Sequence, residues 1–401
     1  MRAVVLGCAF LALFGVACGG KEDRPGRVDP GNGGGGNATS NGGAGGQSGG
    51  AGGQSGGSGG QAGNTGLFFS GSALVAYFSD ASGPYFVEES RVTHTDWEGN
   101  TLASYAAPRF LTTAAFDATQ LVVADAAKMT VLGLDLQPLR EATLQEGCSG
   151  SMLASGGRFI CAPDTDIDRI FYTYSTSDGT LLATSDAYTY NGVPMKPVPG
   201  ADLFITASIS TSPSDYHLYH VDADTGGVDF LGESPYHGGV AVWMSFGFFG
   251  EQATHLISYN GVMHRLQGAA CVPGGAPQDG CLEKDGEYGT LPGNTARYLA
   301  FSEPKQGTQF ALVTSDGGTY QYVDHPCSDV PCTLQRVDTE KREVVASAIF
   351  PAGEERHEFY LIAMPDGDSV LVITSGRSIY NKRYSESLPF EVHRVQLAAT
   401  N

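Results

Sequence analysis

The sequence predicts an all-β chain: a β-propeller of seven blades, with six or eight also compatible, behind a signal peptide and a disordered glycine-rich linker. Three observations carry this. The stretch from Tyr216 to Gly232 reads as strand, turn, strand: Val, Tyr and Phe suit a pleated, half-buried surface, and Asp222 to Gly227 holds the turn residues. Weaker copies of this unit recur. Turn signals centred on Glu98, Gln137, Asp178 and Thr225 are 39, 41 and 47 residues apart, and a period of about 40–50 residues is the spacing of propeller blades. No long segment after residue 67 sustains the apolar period near 3.6 that a helix needs.

The N-terminus reads as an address. Met1-Arg2 is a short positive region, and Ala3 to Val16 is an apolar run shorter than the roughly 18–20 residues of a spanning helix. It ends in Gly15-Val16-Ala17-Cys18-Gly19-Gly20, which resembles a bacterial lipobox. That resemblance implies removal of residues 1–17, lipid on Cys18 and, because Gly19 is not Asp, an outer-membrane address. Residues 18–66 hold almost only Gly, Ser, Asn, Gln and Ala beyond the first few positions, so no apolar surface offsets chain entropy. Such a Gly-rich coil has a root-mean-square span of roughly 40 Å. Gly46-Gln47-Ser48-Gly49-Gly50 matches a nucleophile-elbow pattern but has no strand before it and no helix after it.

Residues 67–401 form the predicted propeller. Each turn has a strand-like run upstream, as a four-stranded blade requires. Leu121 to Asp125, Arg158 to Cys161, Asp202 to Thr206 and Phe310 to Thr314 are such runs, and Ser369 to Thr374 is expected to open the last unit. Units start near 67, 108, 147, 192, 236, 294 and 352. Asn260-Gly261 is a hairpin signal inside the fifth. Ring closure is expected to pair Leu67-Phe68-Phe69 with Val392 to Val395. A pair of β-sandwiches is the rival architecture, and regular spacing disfavours it. Val221 to Val228 is similar to the blade-closing unit of quinoprotein-like and YncE-like propeller repeats. Phe230 stands near the place of the docking Trp of quinoprotein blades, so the resemblance implies a propeller without a quinone cofactor; no cofactor and no metal is expected.

Net charge is -20, and the first 66 residues carry about +1, so the predicted domain holds the whole acidic excess. That field repels phosphate backbones and excludes nucleic acid as a partner. It also leaves the lipid as the only expected membrane contact. Apart from Cys8 and Cys18, six cysteines remain, an even number in an exported chain. Proximity favours Cys148–Cys161, Cys271–Cys281 and Cys327–Cys332 as disulfides; no spacing fits a zinc site.

Candidate chemistry is sparse. His217 and His220 point to opposite faces of a strand. Asp164 to Asp168 opens like an EF-hand, but Arg169 stands where Gly is needed and Ser175 where Glu is needed. His237-Gly238-Gly239 lacks the rest of an esterase signature. Trp243, Phe246, Phe248 and Phe249 read as core between blades. No catalytic residue is assigned. The expectation is a monomeric cell-envelope lipoprotein that is a non-catalytic binding or scaffold module, engaging a protein or glycan through one propeller face. The alternative is an envelope hydrolase or lyase using acids at the channel mouth with a divalent metal.

Overall fold

The computed structural model describes residues 63–163, 170–186, 195–207, 216–233, 246–250, 252–258, 261–266, 282–288, 297–314, 327, 331–350, 358–376 and 389–397. The lipobox, Cys18 and almost all of the linker lie outside them, as do 164–169, His237 to Trp243, Cys271 and Cys281.

Among the described residues every regular element is a strand, and the strands form seven antiparallel four-stranded sheets. The protein is a seven-bladed β-propeller. We number the blades in chain order and letter their strands A to D from the inside outward. Blades 1 to 6 occupy 74–106, 113–143, 150–186, 195–233, 246–287 and 297–350. Blade 7 takes strands A to C from 358–396 and its outer strand, Gly63–Gly71, from the other end of the folded chain. That strand pairs with Phe390–Gln396, Leu67 facing His393 and Phe69 facing Val392. The ring therefore closes through the expected segments. The first blade begins at Leu74 rather than 67, because 63–71 belongs to the last blade. Ser369–Ser375 is the second strand of blade 7, not its first; Glu358–Ala363 precedes it.

The sequence builds the ring because most blades are buried on both faces. In strand B of blade 3, Arg158–Ala162, successive side chains point opposite ways. Phe159 and Cys161 pack toward blade 2, and Ile160 and Ala162 toward blade 4. Hence the near-continuous apolar runs. Each of seven core clusters spans one seam between neighbouring blades, including the seam from blade 7 to blade 1. At that closing seam Phe69 stacks on Phe86, centroids 4.6 Å apart.

Up-and-down strands put the A–B and C–D connections on one face and the B–C and D–A connections on the other. No A–B connection exceeds six residues. The C–D connections are as short, except 267–281 in blade 5. On the opposite face the B–C connections run from 89–90 in blade 1 to 315–331 in blade 6, and the D–A connections reach 234–245.

Candidate functional site

The short-loop face is built from carboxylate-capped turns. In blade 4, Asp222 Oδ1 accepts hydrogen bonds from the amides of Asp224 (3.0 Å) and Thr225 (2.6 Å) and from the Thr225 hydroxyl (2.8 Å). The Gly226 amide donates to the Asp222 carbonyl at 2.9 Å, with Gly226 in the left-handed region at φ +76°. These donors hold the Asp222 carboxyl below its usual range, led by the Thr225 amide. Blade 6 repeats the turn. Asp338 Oδ1 accepts from the amides of Glu340 and Lys341, both at 2.9 Å, and the Arg342 amide donates to the Asp338 carbonyl. In blade 3, Ser175 takes the aspartate's place and Gly179 the left-handed position.

The left-handed residue of these turns docks on the preceding blade. A Cβ on Gly99 would meet the Phe68 carbonyl, and one on Gly226 would meet Thr173 Cγ2. Contact this close explains glycine there. Two blades carry a side chain there instead. In blade 2 the residue is Leu136 at φ +60°, buried in the core between blades 1 and 2, and in blade 6 it is Arg342 at φ +59°. Its guanidinium carbon lies 5.6 Å from the Phe249 ring centroid. Gly286 on blade 5 lies alongside; a Cβ added there would be 4.0 Å from Arg342 Nη1, an ordinary contact.

Beside Arg342, blade 5 places a hydroxyl, an imidazole and a carboxylate in series. Thr254 Oγ1 is 2.9 Å from His255 Nδ1, and His255 Nε2 is 2.9 Å from Asp285 Oδ2. Arg265 holds the same carboxylate oxygen through Nε (3.1 Å) and Nη2 (2.6 Å). The bonds from His255 and Arg265 hold Asp285 below the usual carboxylate range, so it is ionised at neutral pH. In the neutral ring, an Nε2–H donated to this carboxylate leaves Nδ1 as the acceptor for the Thr254 hydroxyl. His255 is buried and Thr254 is exposed. Strand register explains the grouping: His255 lies opposite Arg265 on the next strand, while Asp285 sits where the outer pair shifts register.

Blade 1 has a superficially similar set that works differently. Ser82 Oγ is 3.1 Å from His94 Nε2, but the same hydroxyl donates to Asp80 Oδ1. Asp80 also accepts from the Ser82 and Gly83 amides and from the Tyr85 hydroxyl. The serine proton is directed to the carboxylate, so this is a locked hairpin, not a relay. In the inner ring, Lys196 on strand A of blade 4 donates to the Phe246 carbonyl at 3.1 Å, near the rings of Phe246 (5.5 Å) and Phe248 (5.9 Å). Burial draws its pKa below the ordinary lysine range, and Glu303 partly offsets this.

The structure places the other singled-out residues as follows. Cys148–Cys161 and Cys327–Cys332 form disulfides, with Cα atoms 5.4 and 5.1 Å apart. Phe246 and Phe248 are buried between blades 4 and 5, and Phe249 between blades 5 and 6. His217 is buried, its pKa lowered to about 4 by desolvation, and His220 lies next but two along the strand on the other face. Among the described residues, no group of three or more His, Cys, Asp or Glu is placed to hold a metal ion. The Thr254–His255–Asp285 series carries no motif in the sequence; only the pairing of strands B, C and D in blade 5 brings it together.

No family profile matches the chain, and no curated protein matches it in sequence. Solved structures do match in fold. U3-55K aligns at 11% identity with a TM-score of 0.52, covering 84% of this chain and 99% of that one. The β-propeller domain of Cps50 (Swd1) from Myceliophteria thermophila aligns at 10% identity and 0.50, covering 82% and 99%. The WD40 repeats of RRP9 align at 10% and 0.50, covering 83% and 97%. At these identities the likeness shows the class, a β-propeller fold, and nothing finer.

Proposed function

We propose that this protein is a cell-envelope lipoprotein whose propeller is a binding or scaffold module, tethered through Cys18 and residues 19–66 at the outer membrane. It engages an envelope protein or glycan through the face that carries the B–C and D–A connections. The observation behind this reading is the asymmetry of the connections. One face is made almost wholly of short, capped turns. The other carries connections that vary from 89–90 to 315–331, as expected where a rigid scaffold displays recognition loops. The described part of that face also presents Phe110, 74% exposed, while its neighbour Leu111 is buried and anchored by its amide to the Glu89 carbonyl at 2.7 Å. The linker lets the domain search a volume near the membrane.

The test is site-specific photocrosslinking in cells, with the crosslinker at position 110 or at position 224 on the short-loop face. One envelope partner captured from 110 and not from 224 supports the reading. Capture from 224 alone, or from neither, refutes it. The anchor has its own test: Cys18→Ala should move the protein from the membrane to the soluble fraction, and continued membrane attachment would sink the lipoprotein assignment.

A further inference from the structure

We propose that the seam between blades 5 and 6 is a hydrolytic site for carboxylate-bearing esters, with Thr254 as nucleophile, His255 as its base and Asp285 as the group that fixes the base. The site lies on the short-loop face, so it is additional to binding at the opposite face and does not depend on it.

Three independent features converge here. The first is connectivity. Hydroxyl, imidazole and carboxylate stand in series, 2.9 Å at each step, with the carboxylate on the ring nitrogen far from the hydroxyl. That order makes the free nitrogen a base toward the hydroxyl. The blade 1 set, where the carboxylate takes the serine proton, shows that the order is not a by-product of a hydroxyl near a histidine. The second is exposure. Thr254 is open to solvent, whereas the His255 side chain is 9% exposed and gripped from two sides. Arg265 is a positioning residue: two hydrogen bonds to Asp285 Oδ2 hold the carboxylate in line with Nε2. The third is the charge at Arg342. The equivalent turn position is Gly99, Gly179 and Gly226 in blades 1, 3 and 4 and Leu136 in blade 2, where the side chain fills the core; only blade 6, among the described turns of this kind, puts a cation there. The arginine sits over Phe249, the ring that stands edge-on to His255 at 6.3 Å. A cation on the ring next to the buried imidazole is placed to meet negative charge on a ligand.

The chemistry balances without a further reactant other than water. Thr254 Oγ1 bonds to the ester carbonyl carbon as its proton passes to His255 Nδ1. The carbon–oxygen bond to the alcohol breaks, and the Nδ1 proton goes to the leaving oxygen. Water then attacks the acyl-threonine, giving one proton to Nδ1, and the carboxylic acid leaves as Thr254 Oγ1 takes that proton back. Arg342 binds the carboxylate of the acyl chain, which selects acidic esters.

The experiment uses the full chain, 4-nitrophenyl hemisuccinate as the acidic probe and 4-nitrophenyl acetate as the neutral one. We expect the hemisuccinate to be favoured about tenfold in kcat/KM, against the repulsion of an acidic protein. Thr254→Ala should reduce turnover to the buffer rate and Thr254→Ser should keep it. Asp285→Asn should cost about 100-fold or more, because the ring then presents the wrong tautomer. Arg342→Ala should raise KM for the hemisuccinate and erase the preference. Ser82→Ala, in the other set, should change nothing. No turnover above buffer overturns the proposal. So does turnover that survives Thr254→Ala, which would place any hydrolysis elsewhere.

Discussion

Gly226→Ala tests the turn on which the blade repeat depends. Gly226 sits at φ +76°, and an alanine held in the left-handed region costs about 1–2 kcal/mol. The new methyl would also lie 2.9 Å from Thr173 Cγ2 and 3.4 Å from Leu182 Cβ, both on blade 3. Overfilling a packed contact of that kind costs about 1–3 kcal/mol. We expect a total loss of ~2–5 kcal/mol on those two grounds. Gly200→Ala is the control, because Gly200 has φ +74° and nothing within 4 Å of an added Cβ. It should lose only the backbone part, about 1–2 kcal/mol. The reduced freedom of the unfolded alanine chain is common to both variants and cancels in the comparison. Guanidinium denaturation followed by tryptophan fluorescence gives both midpoints. If the two variants lose the same stability, the seam contact is not tight and the docking argument fails. If neither loses stability, the left-handed turn itself is wrong.

Other expectations follow from the same structure. Removing 63–71 should leave the edge of Phe390–Gln396 unpaired and strip Phe69 from Phe86, so the truncated chain should aggregate or lose its cooperative transition in calorimetry; unchanged melting would refute closure by that strand. Cys148→Ser with Cys161→Ser should cost about 2–5 kcal/mol, the usual loss for a native disulfide, read as a shift in the denaturation midpoint absent from the same variant under reductant. His217 titrates near 4 when folded and near 6.5 when unfolded, so it binds fewer protons in the fold. Its contribution is therefore intact above pH 6.5 and is lost as pH falls toward 4, by about 3 kcal/mol at ~1.4 kcal/mol per unit. His217→Gln should flatten the stability profile between those values, and an unchanged slope would place the acid sensitivity elsewhere.

The parts of this fold legible in the sequence are those fixed by near neighbours. Asp222 and Gly226 specify their turn through contacts within four residues, and the turn repeats often enough to count most blades. The buried runs are legible too, because a strand packed on both faces shows an unbroken apolar stretch, as in Phe159 to Ala162. Closure was readable at both ends of the chain, but the assignment of 63–71 to the last blade rather than the first was not. Only pairing with Phe390–Gln396 decides it. The Ser369 run was misplaced by one strand because strands A and B of blade 7 look alike: Glu358–Ala363 is as apolar as Ser369–Ser375. The Thr254–His255–Asp285 series was invisible for a related reason. Asp285 follows His255 by 30 residues and across a long connection, and no spacing rule joins them.

Arg342 shows why such a site must be read from differences between blades rather than from any blade alone. A repeat architecture sets an expectation at each equivalent position, here a glycine pressed against the preceding blade. Two of the described turns depart from it, and in different ways. In blade 2 the left-handed residue is Leu136, which is buried in the core between blades 1 and 2, so packing accounts for it. In blade 6 it is Arg342, a cation over the Phe249 ring, which in turn stands edge-on to the His255 that Asp285 holds. Packing between apolar faces does not call for a guanidinium, and among the described turns of this kind that charge is what sets the seam between blades 5 and 6 apart.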